Sequence, residues 1–192
     1  MRKFLVGVAV AIAALSLTAC TTPSVSPTQS AAPTIDPELI PTAPPEGVVD
    51  VDASKYADPF GEYVFKVGDG PTWCTISPAQ EGATEPSFVT CEHNEASVRY
   101  EPVPIPSDCT ASYGYQIRLW SAKPEGIGNS EQAQFTCTSG FYADPSTAPI
   151  LENAQRISVG ELTCYVVGVT ARCENTSGKY IVLGPDAWAL GI

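Results

Sequence analysis

Six cysteines in the C-terminal part of the chain constrain its fold more than any other feature. The chain contains seven cysteines in all, and in an oxidising compartment an even set of cysteines closes into disulfides. Six cysteines allow many connectivities, but turn signals between close neighbours favour local pairs. The predicted disulfides are Cys74–Cys91, Cys109–Cys137 and Cys164–Cys173.

The residues around these cysteines predict strands. Two β-rich runs flank a glycine turn between Cys164 and Cys173, which is typical of a hairpin, and the first cysteine pair lies in a similar arrangement. Residues 113–120 alternate between the two faces of a strand. We therefore expect a mainly β fold, a small disulfide-stapled antiparallel sandwich or partly open barrel with little helix. Short helical turns are expected only near residues 148–155 or 186–190.

The two hairpins share a weak sequence pattern. In chain order, the matched positions are Val67-Gly68, Cys74 and Cys91-Glu92 in the first, and Val159-Gly160, Cys164 and Cys173-Glu174 in the second. An internal duplication would give such a pattern, and so would two ordinary hairpins.

Two positive charges and an apolar run open the chain, as a secretory signal requires. We assign this signal to residues 1–19. The sequence Leu17-Thr18-Ala19-Cys20 resembles the lipobox of bacterial lipoproteins. That resemblance implies that a diacylglyceryl group is attached to the thiol of Cys20 and that the signal is removed before it. A lipidated Cys20 also explains the odd number of cysteines, because the other six form an even set.

The segment that follows predicts a tether. Residues 20–57 are rich in Pro, Thr and Ser and offer few apolar side chains to bury, which favours a disordered, extended chain. Residues 58–192 are long enough for one β-rich domain with one core. We therefore predict a lipid-anchored domain at the extracytoplasmic face of the cell membrane.

The net charge of the chain limits its partners. The formal charge is −11 at pH 7, and removal of the signal with Arg2 and Lys3 makes the mature chain more acidic. A nucleic acid is not expected as a partner, because phosphate backbones are bound by Lys and Arg. The same acidity disfavours electrostatic docking onto anionic lipid. The lipid anchor is the expected link to the membrane.

The domain resembles a group of actinobacterial secreted proteins and lipoproteins of unknown function, which carry an early cysteine strand, a middle cysteine pair and a characteristic C-terminal hairpin. The matching positions of that hairpin are Val159-Gly160, Cys164, Gly168, Cys173-Glu174-Asn175 and Ser177-Gly178. The chain departs from the group at Gly68-Asp69-Gly70-Pro71, before its first cysteine, and at Lys179-Tyr180-Ile181. The resemblance implies a fold and a compartment, not an activity.

Little in the sequence indicates catalysis. The single histidine, His93, excludes a zinc site with two histidines and is expected in an exposed turn. If all seven cysteines are used as above, no thiol nucleophile remains, and no serine-hydrolase or phosphate-loop motif is present. We therefore expect no catalytic residue, no metal and no cofactor.

Aromatic side chains form the candidate binding face, although core packing would also explain them. They are Tyr113, Tyr115, Trp120, Phe141 and Tyr142. The expected function is that of a non-enzymatic binding or interaction module, with an envelope protein or a cell-wall component as its partner. Two alternatives stay open, a cell-wall-active hydrolase that uses paired carboxylates and a structural or inhibitor-like module.

Overall fold

The computed structural model describes residues 35–125 and 131–191 of the chain. The predicted signal peptide, Cys20 and the first part of the predicted tether lie outside the described residues. The strands are β1 Val49–Asp50, β2 Tyr63–Val67, β3 Thr72–Ser77, β4 Phe88–His93, β5 Gln116–Trp120, β6 Ala133–Phe135, β7 Ile150–Leu151, β8 Gln155–Val159, β9 Leu162–Val167, β10 Thr170–Asn175, β11 Tyr180–Leu183 and β12 Trp188–Gly191. Short 3₁₀ helices span Pro37–Leu39, Ala53–Tyr56 and Glu95–Ser97.

These strands form two six-stranded sheets that pack face to face. The front sheet has the order β6-β5-β4-β3-β2-β7, and the back sheet has the order β1-β8-β9-β10-β11-β12. Each sheet is antiparallel except for one parallel edge pair, β2 with β7 and β8 with β1. The mainly β prediction is confirmed, and the fold is a sandwich of two mixed sheets rather than a closed barrel. No helix among the described residues is both long and apolar enough to cross a bilayer.

Two disulfides meet in the centre of the sandwich. Cys74–Cys91 joins β3 to β4, and Cys164–Cys173 joins β9 to β10. The sulfur atoms of Cys91 and Cys173 lie 3.8 Å apart across the two sheets, and all four cysteines are buried. Around them pack alternate strand residues from both sheets, chiefly Phe65, Ile76, Val89, Ile117, Leu119, Ile157, Leu162, Val166, Ile181 and Leu183.

The third disulfide, Cys109–Cys137, lies outside this centre and ties the long β4–β5 connection to the segment after β6. The structure therefore contains the same three neighbouring pairs as the sequence prediction. Each such bond contributes about 3 kcal/mol by restricting the unfolded chain.

The two halves of the chain repeat one strand plan. Strands β2 to β6 form an antiparallel meander, and so do β8 to β12. Each half has a disulfide between its second and third meander strands. The short strand before each meander pairs with the other half, since β1 joins β8 and β7 joins β2. The topology thus supports the internal repeat that the sequence pattern indicated.

Residues 35–57 contain short elements that pack against the domain, which corrects the prediction that the tether extends to residue 57. We call residues 35–57 the N-terminal arm. Its strand β1 pairs with β8, where Asp50 binds Arg156 at 2.6 Å. Further on, Tyr56 is buried edge-on against Phe65 and donates a hydrogen bond of 3.3 Å to the carbonyl of Ile150. The Pro-rich composition of the arm predicts disorder, but the arm contributes Tyr56 to the core.

The arm also lies over the outer face of the back sheet. Arg172, on β10, donates to the carbonyl of Pro41 at 2.9 Å and stacks 3.6 Å from the ring centre of Tyr180. Its Nε atom pairs with Glu174 at 2.6 Å. The outward side chains of Arg172 and Tyr165 are buried as a result.

Two regions predicted as possible helical turns are strands instead. Ile150 pairs with Lys66 in the front sheet, and Trp188 pairs with Leu183 in the back sheet. Both segments are short edge strands. Their pairing with a distant or preceding strand supplies the hydrogen bonds that a local helix would otherwise have made.

Candidate functional site

The outer face of the front sheet carries many polar and aromatic side chains. Because side chains alternate along a strand, the neighbours of the inward cysteines point outward. They are Trp73, Thr75 and Ser77 on β3, Phe88, Thr90 and Glu92 on β4, and Gln116, Arg118 and Trp120 on β5. Most of them are nevertheless buried, because residues 138–149 fold over them. We call this stretch the cover segment.

A buried carboxylate fixes the cover segment to the sheet. Glu92 accepts hydrogen bonds from the indole N–H of Trp73 at 2.9 Å and from the side-chain amide of Gln116 at 2.8 Å. It also accepts the backbone N–H of Tyr142 at 2.8 Å and that of Ala143 at 3.0 Å. A buried charge is stable when donors surround it in this way. Glu92 therefore determines where Tyr142 lies.

The hydroxyl of Tyr142 closes a second polar cluster at the edge of the cover segment. It donates to Glu62 at 2.7 Å, and the hydroxyl of Ser77 donates to the same carboxylate oxygen at 2.6 Å. The two hydroxyl oxygens lie 3.1 Å apart. Burial raises the pKa of Tyr142, so the phenol stays protonated and acts as a donor at neutral pH.

A tightly bonded turn presents a single exposed phenylalanine beside this cluster. The carboxylate of Asp58 accepts the backbone N–H of Phe60 at 2.8 Å and that of Glu62 at 2.9 Å. Gly61, with φ of +85°, allows the chain to reverse there. The ring of Phe60 is 89% exposed. A large apolar side chain held this far into solvent by a rigid turn is a candidate anchor for a ligand.

Clefts lie on both sides of Phe60. The first has a volume of about 560 Å³ and the second about 440 Å³, and both are lined by Phe60, Glu62 and Tyr142. The first cleft also contains Lys55, Asp58 and Asp144. These volumes fall within the range of small-ligand sites.

A third cleft continues the row across the front sheet. It has a volume of about 540 Å³ and shares Glu85 with the second cleft. Arg118, Trp120 and Asp108 are among its lining residues. We call the three adjoining clefts the outer groove, which runs from the side of the sheet at β2 to the edge at β6.

Arg118 lies in an aromatic box at the third cleft. The centre of its guanidinium is 4.2 Å from the ring centre of Phe88, 5.2 Å from that of Tyr142 and 5.7 Å from that of Trp120. Its Nε atom donates to the hydroxyl of Thr90 at 2.9 Å. Burial lowers the pKa of Arg118 from its usual value, but the guanidinium remains charged at any physiological pH.

The structure distributes the five predicted aromatic residues among several places. Trp120 and Tyr113 line the third cleft, and Tyr142 lines the first two. Phe141 packs edge-on against Trp73 and, together with Tyr115, borders a separate small cleft of about 100 Å³. The set therefore does not form one face.

Sequence reasoning missed the residues that shape the groove. Phe60, Glu62 and Arg118 were not singled out, and the burial of Glu92 was not foreseen. The Asp58-Pro59 step before Phe60 is a turn signal that points to an exposed position for the ring, and no comparable signal marks Arg118.

His93 is buried at the end of β4, which corrects its prediction as an exposed turn residue. Its Nε2 atom lies 2.9 Å from the hydroxyl of Tyr100, which donates to the carbonyl of Gly114 at 2.7 Å. Burial lowers the pKa of His93 to about 4. The imidazole is therefore neutral at pH 7, and its contacts connect β4 to the long segment before β5.

Comparisons of the chain with protein-family models, with curated proteins and with solved structures found no match.

Proposed function

We propose that this chain is a non-enzymatic binding module of the cell envelope, held by a lipid on Cys20 at the extracytoplasmic face of the membrane. The observation that carries the binding function is the exposed ring of Phe60, which stands on a rigid turn between two clefts. Preorganised aromatic anchors beside clefts lose little conformational entropy on binding.

The anchor is supported by the sequence and by the state of the other cysteines. An export signal and a lipobox-like motif precede Cys20. Six of the seven cysteines are paired in disulfides, so Cys20 is the one left for another use. Disulfides also form and persist in the compartment that export would reach.

The shape and chemistry of the outer groove favour an extended ligand, such as a segment of an envelope protein or of a cell-wall polymer. Three adjoining clefts offer a row of subsites rather than one closed pocket. Aromatic rings provide apolar contact area, while carboxylates and hydroxyls provide polar contacts.

No observation favours the alternative of a hydrolase with paired carboxylates. The carboxylates of the first cleft already accept hydrogen bonds that shape the site. Asp58 holds the turn of Phe60, Glu62 accepts from Tyr142 and Ser77, and Asp144 caps the backbone at Ser146. The hydrogen bonds of these three carboxylates hold the backbone and side chains around the first cleft in place.

We expect Phe60→Ala to weaken attachment to the envelope without affecting folding. In a Cys20→Ala background the lipid no longer holds the chain, so retention on washed envelopes reports binding by the domain. Loss of an aromatic anchor should lower the apparent affinity by about tenfold or more. Because the ring is exposed, the free energy of unfolding should change by less than about 0.5 kcal/mol.

The matched control is Leu39→Ala, which removes an exposed apolar side chain from the N-terminal arm. Retention should be the same as in the parent chain. Equal retention of the parent and the Phe60→Ala variant in a pelleting assay would contradict the proposed site.

A further inference from the structure

The third cleft holds the positive charge of Arg118, which forms no ion pair with any residue that the structure describes. Among the described residues, Arg118 takes part in no ion pair within 4.0 Å, and the hydroxyl of Thr90 accepts its one hydrogen bond. Cation–π interactions with the aromatic rings offset part of the free energy lost when the guanidinium is removed from water. They do not supply the paired acceptors that a guanidinium fork is shaped to bind.

The same cleft contains carboxylates on its walls. Glu85 and Asp108 line it together with Arg118, and Glu85 accepts the indole N–H of Trp120 at 3.4 Å. A plain anion would meet repulsion from these acids. A ligand that carries both a carboxylate and an ammonium group would be complementary to both signs of charge.

We propose that the third cleft binds the zwitterionic end of a short peptide or amino acid, with the ligand carboxylate on Arg118 and its ammonium group near Glu85 and Asp108. The volume of about 540 Å³ accommodates a molecule of this size. Trp120 and Tyr113 supply apolar walls for its side chains. The assignment deepens the proposed binding function and rests on it.

The test compares four forms of one probe on the purified full chain by isothermal titration calorimetry. The probes are L-alanyl-L-alanine, its C-terminal amide, its N-acetyl derivative and the doubly blocked form. The free dipeptide should bind at least about tenfold more tightly than the amide, since a charge-assisted bond to Arg118 is lost. The N-acetyl form should also bind more weakly.

Variants assign the effect to Arg118. Arg118→Gln should reduce the affinity for the free dipeptide to that of the amide, and Arg118→Lys should retain part of it because the charge remains. The control is Arg99→Gln, which alters an exposed arginine that pairs with Asp186. If Arg118→Gln does not fold, the comparison of free and amidated dipeptide on the unmodified chain still tests whether the cleft recognises a carboxylate.

Equal affinity for the free and amidated dipeptides, or no binding of either, would overturn this assignment. Equal affinity for the N-acetyl form would overturn the zwitterion as the ligand class. Neither result bears on the retention experiment with Phe60, which tests the proposed function through a different cleft. Carboxylate discrimination together with equal retention of the parent and Phe60→Ala chains would contradict the proposed envelope-binding function and not the ligand preference of the third cleft.

Discussion

A chain that begins at residue 58 is expected to lose about 4 kcal/mol or more of its free energy of unfolding, whereas a chain that begins at residue 35 is expected to keep it. The shorter chain lacks the whole N-terminal arm. It loses strand β1, the burial of Tyr56 against Phe65, and the carbonyl of Pro41 that accepts from Arg172. Domains of this size are stable by only about 5–15 kcal/mol.

Urea unfolding of the two truncated chains, each compared with the full chain, measures this difference. The 35–192 chain is the matched control, because it removes the predicted signal and the Pro-rich stretch but keeps the arm. Equal unfolding midpoints for the 35–192 and 58–192 chains would show that the arm is a tether after all.

Replacement of Glu92 by alanine is expected to destabilise the domain by about 3–5 kcal/mol and to release the cover segment. The substitution leaves the side-chain amide of Gln116 and the backbone N–H groups of Tyr142 and Ala143 without the carboxylate that accepts from them. The indole N–H of Trp73 loses one of its two acceptors and keeps the carbonyl of Ala143 at 3.1 Å. Glu92→Gln keeps one acceptor oxygen, so its cost should be intermediate. Because these bonds hold the backbone of Tyr142, we expect Tyr142 to move away from the first two clefts, both of which it lines.

Thermal unfolding measures the change in stability, and limited proteolysis after Phe141 or Tyr142 measures release of the cover segment. Glu101→Ala, at an exposed position, is the control and should behave as the parent chain. A Glu92→Ala chain as stable as the control, with an equally resistant cover segment, would mean that the carboxylate does not hold that segment.

Local features of the fold could be predicted from the sequence, because they depend on residues close together in the chain. The hairpin at Cys164 and Cys173 is marked by two β-rich runs and a glycine between them. The strand predicted within residues 113–120 is present as β5, Gln116–Trp120. The neighbouring disulfides follow from the same short-range signals.

The N-terminal arm could not be predicted, because its order comes from distant partners. Strands β1 and β7 have only two residues each, and each pairs in parallel with a strand of the other half. Such short runs carry no periodicity. The prolines around them favour a disordered segment by composition, while tertiary contacts order it.

The outer groove was missed for a related reason. Alternation along β4 and β5 marks Glu92 and Arg118 as outward-facing and therefore as solvent-exposed. The cover segment, from a later part of the chain, buries Glu92 and leaves Arg118 only half-exposed. Only the tertiary structure shows that these two charges, together with Phe60 and Tyr142, shape one surface.

Amide hydrogen exchange of the full chain, with and without solubilised envelope material, locates the binding face. If the outer groove is the binding face, exchange should slow at residues 58–62 and 141–144, which flank the first two clefts. Exchange on the outer face of the back sheet, at residues 163–174, should not change. Slowing confined to residues 163–174, or no slowing while the chain remains bound, would contradict binding at the outer groove.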